Sequence, residues 1–407
     1  MSIRHSSLAV AALVFAIAEA RAERPELIWS ARVNGAVYAV AFSPDDSLLA
    51  TGAGLLRFPD LRLWDAQSGQ VVGPLAGPSN PTYSLSFSTD GQYLAAGGVD
   101  AFAYLFRVSN REQILKLGGS AAEVRAVAIS PDGRFLAASG VWYPGPAYLR
   151  LFSLPDGGYV RNFPGHGAGV MAVAFSPDSE VLASGSIDKT VKLWRISDGE
   201  FVRTLQGHTY PVRAVAYAPD GQTIASAGGD DKTVRLWRAT DGELLRVLLG
   251  HSRTVHAVAF SPDGEIVATV AGEFEATIKL WRVADGELLK TFDEETGTGV
   301  LSVAFSHDGK LLAYGRLDGV VDVARNPYAP VGECGPDAIL TAKCKGGGSK
   351  VTGSLKKATP DTPVTFTIDG ERPVEATTSR KGKAKVKYTG QAPGAHTVRA
   401  CELEAGC

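Results

Sequence analysis

In short runs along most of this chain, large apolar residues alternate with small ones, as in Ala172-Val173-Ala174-Phe175 and Ala257-Val258-Ala259-Phe260. Successive side chains of a strand point to opposite faces, so these runs predict strands buried on both sides; a strand with one wet face would alternate with polar residues. Seven such runs recur, beginning near Val37, Tyr83, Val124, Val170, Val212, Val255 and Val300. In each, two alternate positions are Ala or Ser, for example Ala39 and Ala41, Ser84 and Ser86, or Ser302 and Ala304, as crowded strands require. A turn built on an aspartate follows every run, at Asp45, Asp90, Asp132, Asp178, Asp220, Asp263 and Asp308, at intervals of 42 to 46 residues. A second apolar run then ends in Leu-Trp or a relic of it. A period of about 40 to 45 residues with several strands per repeat predicts an all-β fold, a seven-bladed β-propeller whose units bury their faces only by packing on one another.

In three units Asp198-Gly199, Asp241-Gly242 and Asp285-Gly286 separate two strand-like runs, a hairpin signal because glycine readily takes positive φ. The runs that follow, from Glu200 and from Glu287, predict fourth strands. The seventh unit lacks one, since Asn326-Pro327-Tyr328-Ala329-Pro330 cannot continue a ladder. Glu26-Leu27-Ile28-Trp29 precedes the first unit as a fourth strand would, and is expected to complete the last blade and close the ring.

Composition adds compartment and boundaries. The chain has 407 residues, 45 % of them hydrophobic, enough for a large core, and a formal net charge of −2, which offers no general basic footprint for nucleic acid. Residues 1–22 read as a signal peptide, with Arg4 and His5, an apolar core from Leu8 to Ala18, and Ala20-Arg21-Ala22 as the cleavage site. That core is too short to span about 30 Å of hydrocarbon, so the mature chain is expected to be exported, periplasmic or extracellular, without a transmembrane segment. Residues 23–330 form the propeller region, where 27 Lys plus Arg against 34 Asp plus Glu give −7. Residues 331–407 lose the period and carry +4, from 12 against 8. They read as a small β-sandwich, immunoglobulin-like, with strands at 339–345, 350–357, 363–368, 383–388 and 396–401. Cys334, Cys344, Cys401 and Cys407 all fall there and predict two disulfides. Three connectivities remain open, with bridges from the start to the end of the segment preferred, and the spacing does not suit zinc. The basic segment also offers a surface for association with an anionic envelope, although Lys381, Lys383, Lys385 and Lys387 alternate as a solvated strand face would.

Leu193-Trp194, Leu236-Trp237, Leu280-Trp281, Leu63-Trp64-Asp65, Gly165-His166, Gly207-His208 and Gly250-His251 carry a family resemblance: over residues 26–326 the chain resembles the WD40-repeat β-propellers. The resemblance implies hydrogen-bonded tetrads of His166, Ser184, Asp188 and Trp194 and of His208, Ser226, Asp231 and Trp237. Elsewhere the pattern departs from the family, with Glu275 for aspartate in the sixth unit, Phe106 and Phe152 for tryptophan in the second and third, and Ala324 in the seventh. Those blades are expected to be held mainly by packing.

The recurring histidines and the aspartates at 100, 188, 231 and 318 are candidates for metal or acid–base clusters. Their dispersion one blade apart, and the tendency of aspartate in tight turns to bond its own backbone, favour structural roles, so no metal and no cofactor are expected. His256 and His307 are expected to be satisfied or exposed. No phosphate loop, nucleophile elbow or His-Glu-x-x-His motif is present, and a non-catalytic protein is expected.

Insertions between the second and third strands of the first, third and sixth units carry Phe58, Trp142, Tyr143 and Phe274. In the family such loops share one face, around the channel mouth, and the loops carrying Tyr210 and Arg253 are expected to be close enough to contribute. Aromatics and arginine dominate interface hot spots, and loops on rigid scaffolds carry function. The leading expectation is an exported interaction scaffold that binds a protein or peptide through Phe58, Trp142, Tyr143, Tyr210, Arg253 and Phe274. Two alternatives remain open, a structural component of the cell envelope and a hydrolase of the exported propeller type acting at the channel mouth.

Overall fold

In a computed structural model of the chain, the described residues are 24–118, 123–141, 148–272, 275–293 and 298–329, together with the strand backbones at 339–345, 350–356, 363–368, 371–377, 384–389, 397–400 and 403–406. They fall into two compact units, 1–326 and 327–407.

Among the described residues of the first unit are seven four-stranded antiparallel sheets. Blade four is typical: Val170–Phe175, Val181–Ser186, Val191–Arg195 and Phe201–Leu205 follow one another from inner to outer edge. Blade seven contributes three consecutive strands, Val300–Phe305, Leu311–Arg316 and Val320–Arg325, and its fourth is Leu27–Arg32 from the other end of the unit. That strand pairs antiparallel with Val320–Arg325, from Leu27 opposite Ala324 to Arg32 opposite Val320.

The small–large alternation of the inner strands is explained by how blades meet. Gly97 and Gly185, on second strands, face valines of the next blade, and a Cβ added there would lie 2.5 Å from Val124 and 2.7 Å from Val212. Inter-blade clusters form the core; one joins Val37, Val40, Leu49 and Trp64 of blade one to Leu311, Val321 and Val323 of blade seven. Trp29 stacks on Trp64 at 5.9 Å and donates its indole N–H to the Ala66 carbonyl at 2.8 Å. The last blade is thereby packed on the first.

Except in blade five, where Ala218 stands at the serine position, the aspartate turns owe as much to serine as to aspartate. In blade four Ser176 Oγ donates to Asp178 Oδ1 at 2.5 Å and accepts the Val181 N–H at 2.9 Å, while Asp178 Oδ1 accepts the Glu180 N–H at 3.0 Å. Next in these turns stands a residue with positive φ, glycine in most blades but Asp46 in blade one (φ 55) and Ser179 in blade four (φ 63). Both side chains reach the neighbouring blade. Ser179 Oγ accepts the Asp132 N–H at 3.0 Å, and the Asp46 carboxylate accepts the N–H groups of His307 and Asp308, each at 2.8 Å, at the seam between blades one and seven.

In the second unit the described strands form a three-stranded sheet, 339–345, 350–356 and 384–389, and a four-stranded sheet ordered 371–377, 363–368, 397–400, 403–406. The strands at 371–377 and 403–406 are absent from the sequence-based expectation. Cys344 lies on the strand at 339–345, whereas Cys334, Cys401 and Cys407 lie outside the described residues, as does the segment 1–22.

Candidate functional site

One end of the propeller is built from the loops joining each outer strand to the next blade and the loops joining second to third strands. Beneath these loops in blades four, five and six run three parallel side-chain networks. His166 Nδ1 lies 2.7 Å from Asp188 Oδ2 and its Nε2 lies 2.8 Å from Ser184 Oγ, which also accepts the Trp194 indole N–H at 2.8 Å. In blade five the corresponding contacts, His208 with Asp231 and Ser226 and Trp237 with Ser226, are all 2.8 Å. An indole only donates and a carboxylate only accepts, so the two end bonds of each network are fixed in direction. The indole donates to the hydroxyl oxygen and Nδ1–H donates to the carboxylate; with the imidazole neutral, the hydroxyl donates to His Nε2.

Blade six corrects the expectation that it is held mainly by packing. His251 Nδ1 meets Glu275 Oε1 at 3.0 Å, its Nε2 meets Thr269 Oγ1 at 2.8 Å, and Trp281 donates to the same oxygen at 2.8 Å. Threonine replaces serine without losing the hydroxyl, and glutamate reaches the imidazole with one methylene more than aspartate. Burial alone would raise the Glu275 carboxyl, but hydrogen bonds from His251 and Thr277 outweigh it and bring the pKa down to about 2. Burial holds the His251 imidazole below its ordinary value. Asp188 also lies well below the usual carboxylate range, because bonds from His166 and Thr190 overcome the opposing effect of burial.

Each carboxylate also ties down the adjoining loop. Asp188 accepts the Gly167 N–H at 2.9 Å and the Thr190 N–H at 3.0 Å, and Glu275 accepts the Ser252 and Arg253 N–H groups, both at 2.7 Å. Blade two reaches the same end differently. Tyr104, buried, donates its hydroxyl to Asp100 at 2.8 Å, and the Ser79 N–H donates to that carboxylate at 2.7 Å. In blade one Trp64 donates to Thr51 at 2.9 Å and the Asn34 N–H to Asp60 at 2.9 Å. Blade seven pairs Arg316 with Asp318 at 2.8 Å.

The carboxylate–imidazole–hydroxyl order in blades four and five superficially matches a hydrolytic triad. Ser184 and Ser226 are both 0 % exposed, and each oxygen receives an indole N–H, so neither is presented to a substrate. Among the described residues no group of His, Cys, Asp and Glu is arranged to hold a metal ion. No helix of the described chain is long and apolar enough to cross a membrane.

Above this frame Phe58 is 69 % exposed at the tip of a hairpin formed by Leu48–Leu55 and Phe58–Asp65, next to exposed Leu55 and Leu56. Tyr210 is 48 % exposed, and Leu317 of blade seven is exposed as well. Arg253 is exposed, its backbone held by Glu275. Trp142, Tyr143 and Phe274 lie outside the described residues.

A further set was missed in the sequence. The inner strands of six blades carry a register shift at one equivalent residue, as between Val37 and Ala39 or Val255 and Ala257. A bulge there re-aims one side chain per blade. The residues are Tyr38, Tyr83, Arg125, Met171, His256 and Leu301, with Arg213 at the same position of blade five. Neighbours in the set touch across blades: Tyr38 meets Tyr83 edge-on at 4.9 Å, and Arg125 lies over the Tyr83 ring at 4.3 Å. Their only trace in sequence is polar or bulky residues in an otherwise small–large alternation.

Seven four-stranded sheets, three of them with histidine–hydroxyl–carboxylate–indole networks under one face, define a repeat propeller. The family model for the WD domain, G-beta repeat (WD40) matches residues 26–54, 69–107, 111–142, 157–195, 199–238, 242–282 and 286–323, and the chain belongs to that family. Similar proteins include the Periodic tryptophan protein 2 homolog of Neurospora crassa, 32 % identical over 74 residues, which are 18 % of this chain and 8 % of that protein. Another is the Intraflagellar transport protein 122 homolog of Mus musculus, 30 % identical over 93 residues, 23 % of this chain and 7 % of that protein. The chain thus aligns with less than a tenth of the length of either relative.

Proposed function

We propose that this protein is an exported, non-catalytic interaction scaffold that binds a protein or peptide through the loop face of its propeller. The observation that carries this reading is the concentration of exposed Leu55, Leu56, Phe58, Tyr210 and Leu317 on the face whose backbone the carboxylates of the networks hold down. Aromatic and aliphatic side chains on a pre-organised frame lose little entropy when a partner covers them. Relatives and fold leave the partner open, since this scaffold hosts many roles. Export rests on the leader-like segment at 1–22, and pairing of Leu27–Arg32 with the last blade serves as the closure of the ring. Residues 331–407 act in this reading as a disulfide-stapled β-sandwich that spaces the propeller from, or associates it with, a surface.

The test is affinity capture with residues 23–407 from native envelope and secreted fractions, beside a Trp142→Ala, Tyr143→Ala double variant and a Phe58→Ala, Tyr210→Ala double variant. Loss of a captured protein in either variant, with the melting temperature unchanged, supports the reading. Capture that survives both variants would exclude these side chains as the binding surface.

A further inference from the structure

Two members of the inner-strand set are arginines at equivalent positions, and their surroundings differ. Arg125 of blade three has its own counter-ion, Glu123 at 2.5 Å, and is stacked on Tyr83. Arg213 of blade five is partly buried; its backbone N–H donates to the Ala227 carbonyl, and its guanidinium has no hydrogen-bond or ion-pair partner among the described residues. Its side chain crosses Gly229, close enough that a Cβ there would meet Nε at 3.1 Å. The backbone of Gly229 bridges Val255, the residue before His256, so the guanidinium is carried to the seam between blades five and six.

At that seam the imidazole of His256, also partly buried and packed against Gly272, has no hydrogen-bond partner among the described residues. Arg213 and Asp230 are the charged groups that act on it. Burial, and then the Arg213 charge, push the imidazole down to about 4, with Asp230 opposing them, so it is neutral at physiological pH. The Asp230 carboxylate is engaged by the Thr254 hydroxyl. Buried polar groups in folded proteins are ordinarily paired, and here a guanidinium with five donors and an imidazole share one seam whose nearby carboxylate, Asp230, is bonded instead to Thr254.

Resting on the loop-face reading above, we propose that the blade five–six seam is an anion-receiving site, in which Arg213 and His256 bind the carboxylate of an aspartate or glutamate side chain in an acidic segment of the partner protein. A planar guanidinium suits a carboxylate in two-bond geometry, and the partly buried setting strengthens the contact beyond that of a surface pair. The same arrangement makes the site responsive to acidity, because a bound carboxylate favours the protonated imidazole that Arg213 otherwise disfavours.

The experiment uses the chain 23–407 and two labelled, end-capped peptides, hexaglutamate and hexaglutamine, followed by fluorescence anisotropy. Preferential binding of hexaglutamate is expected, weakened about tenfold by Arg213→Gln, as for loss of one charge-assisted hydrogen-bonded contact. Asp230→Asn, which removes the competing negative charge, is expected to tighten it, an outcome that misfolding cannot imitate. Arg125→Gln should change it less than about twofold, since that charge is already paired. In parallel, the NMR titration of the His256 ring should move upward from about 4 when hexaglutamate is bound. Equal affinity for the two peptides would overturn the site, and so would equal losses in Arg213→Gln and Arg125→Gln, which would report only general attraction. Failure here with intact, mutation-sensitive capture of a native partner would leave the loop-face reading standing. Hexaglutamate binding without any captured partner would leave the site standing and count against that reading.

Discussion

Blades two and five hold the same kind of loop with different chemistry. In blade five the Asp231 carboxylate is reached through His208, Ser226 and Trp237, with every hydrogen-bonding group between indole and carboxylate satisfied. In blade two proline and alanine stand at the histidine and serine positions and Phe106 at the tryptophan position, yet Asp100 still anchors its loop, because Tyr104 reaches it from the third strand. The carboxylate is thus the shared element, and the relay behind it is exchangeable. The relay in blade five connects two strands and two loops, whereas the tyrosine in blade two makes a single bond; the first arrangement should contribute more stability.

The sharpest way to break this contrast is to remove a carboxylate. Asp188→Ala strands the His166 Nδ1–H and two backbone N–H groups and should cost about 3 kcal/mol or more, measured by denaturant unfolding with the slope unchanged. Tyr104→Phe, which removes one bond of 2.8 Å and leaves the ring packed, should cost about 1 to 2 kcal/mol. If Tyr104→Phe proved as costly as Asp188→Ala, the two blades would be equivalent after all.

Acid should sharpen the comparison further. Glu275 has a folded-state pKa of about 2 against an ordinary value of 4.5, so its contribution is fully present above about 4.5 and lost as pH falls toward 2. His251 is held below its ordinary value, which makes stability decline as pH falls below about 6.5. Both act in the same direction. The melting temperature of Glu275→Gln should therefore lie below that of the native chain at pH 7 and converge with it between pH 4.5 and 2. A gap that stayed constant with pH would mean that Glu275 acts through packing.

The smallest effect concerns the seam. Asp46→Gly relieves a side chain from positive φ but removes an acceptor used by His307 and Asp308, so a net loss of about 1 kcal/mol is expected. Ser179→Gly, with a single bond across blades three and four, should be nearer neutral. A stabilised Asp46→Gly would show that backbone strain outweighs the inter-blade bonds.

Much of the fold was legible in sequence because each repeat states its own elements locally. The aspartate turns, the Asp-Gly hairpins and the strands buried on both faces are encoded within a few residues, and the period multiplies the signal. His166, Ser184, Asp188 and Trp194 were legible for the same reason, as residue types recurring at the repeat spacing. Glu275 looked like decay because pattern matching compares letters, whereas a carboxylate one methylene further out, with the Thr269 hydroxyl, satisfies the same donors. Tyr104 gave no signal, since its replacement of the relay depends on a reach of 2.8 Å across a hairpin.

The sequence by itself determined the number of blades, the order of strands within each and the positions of the carboxylates under the loops, all consequences of short-range pattern repeated. Only the tertiary structure decided which side chain of each inner strand is turned out by a bulge, that Arg125 is paired and Arg213 is not, and that Asp46 bonds residues 261 and 262 positions away. These outcomes depend on distances between segments remote in the chain, which exist only once the blades have packed into the ring.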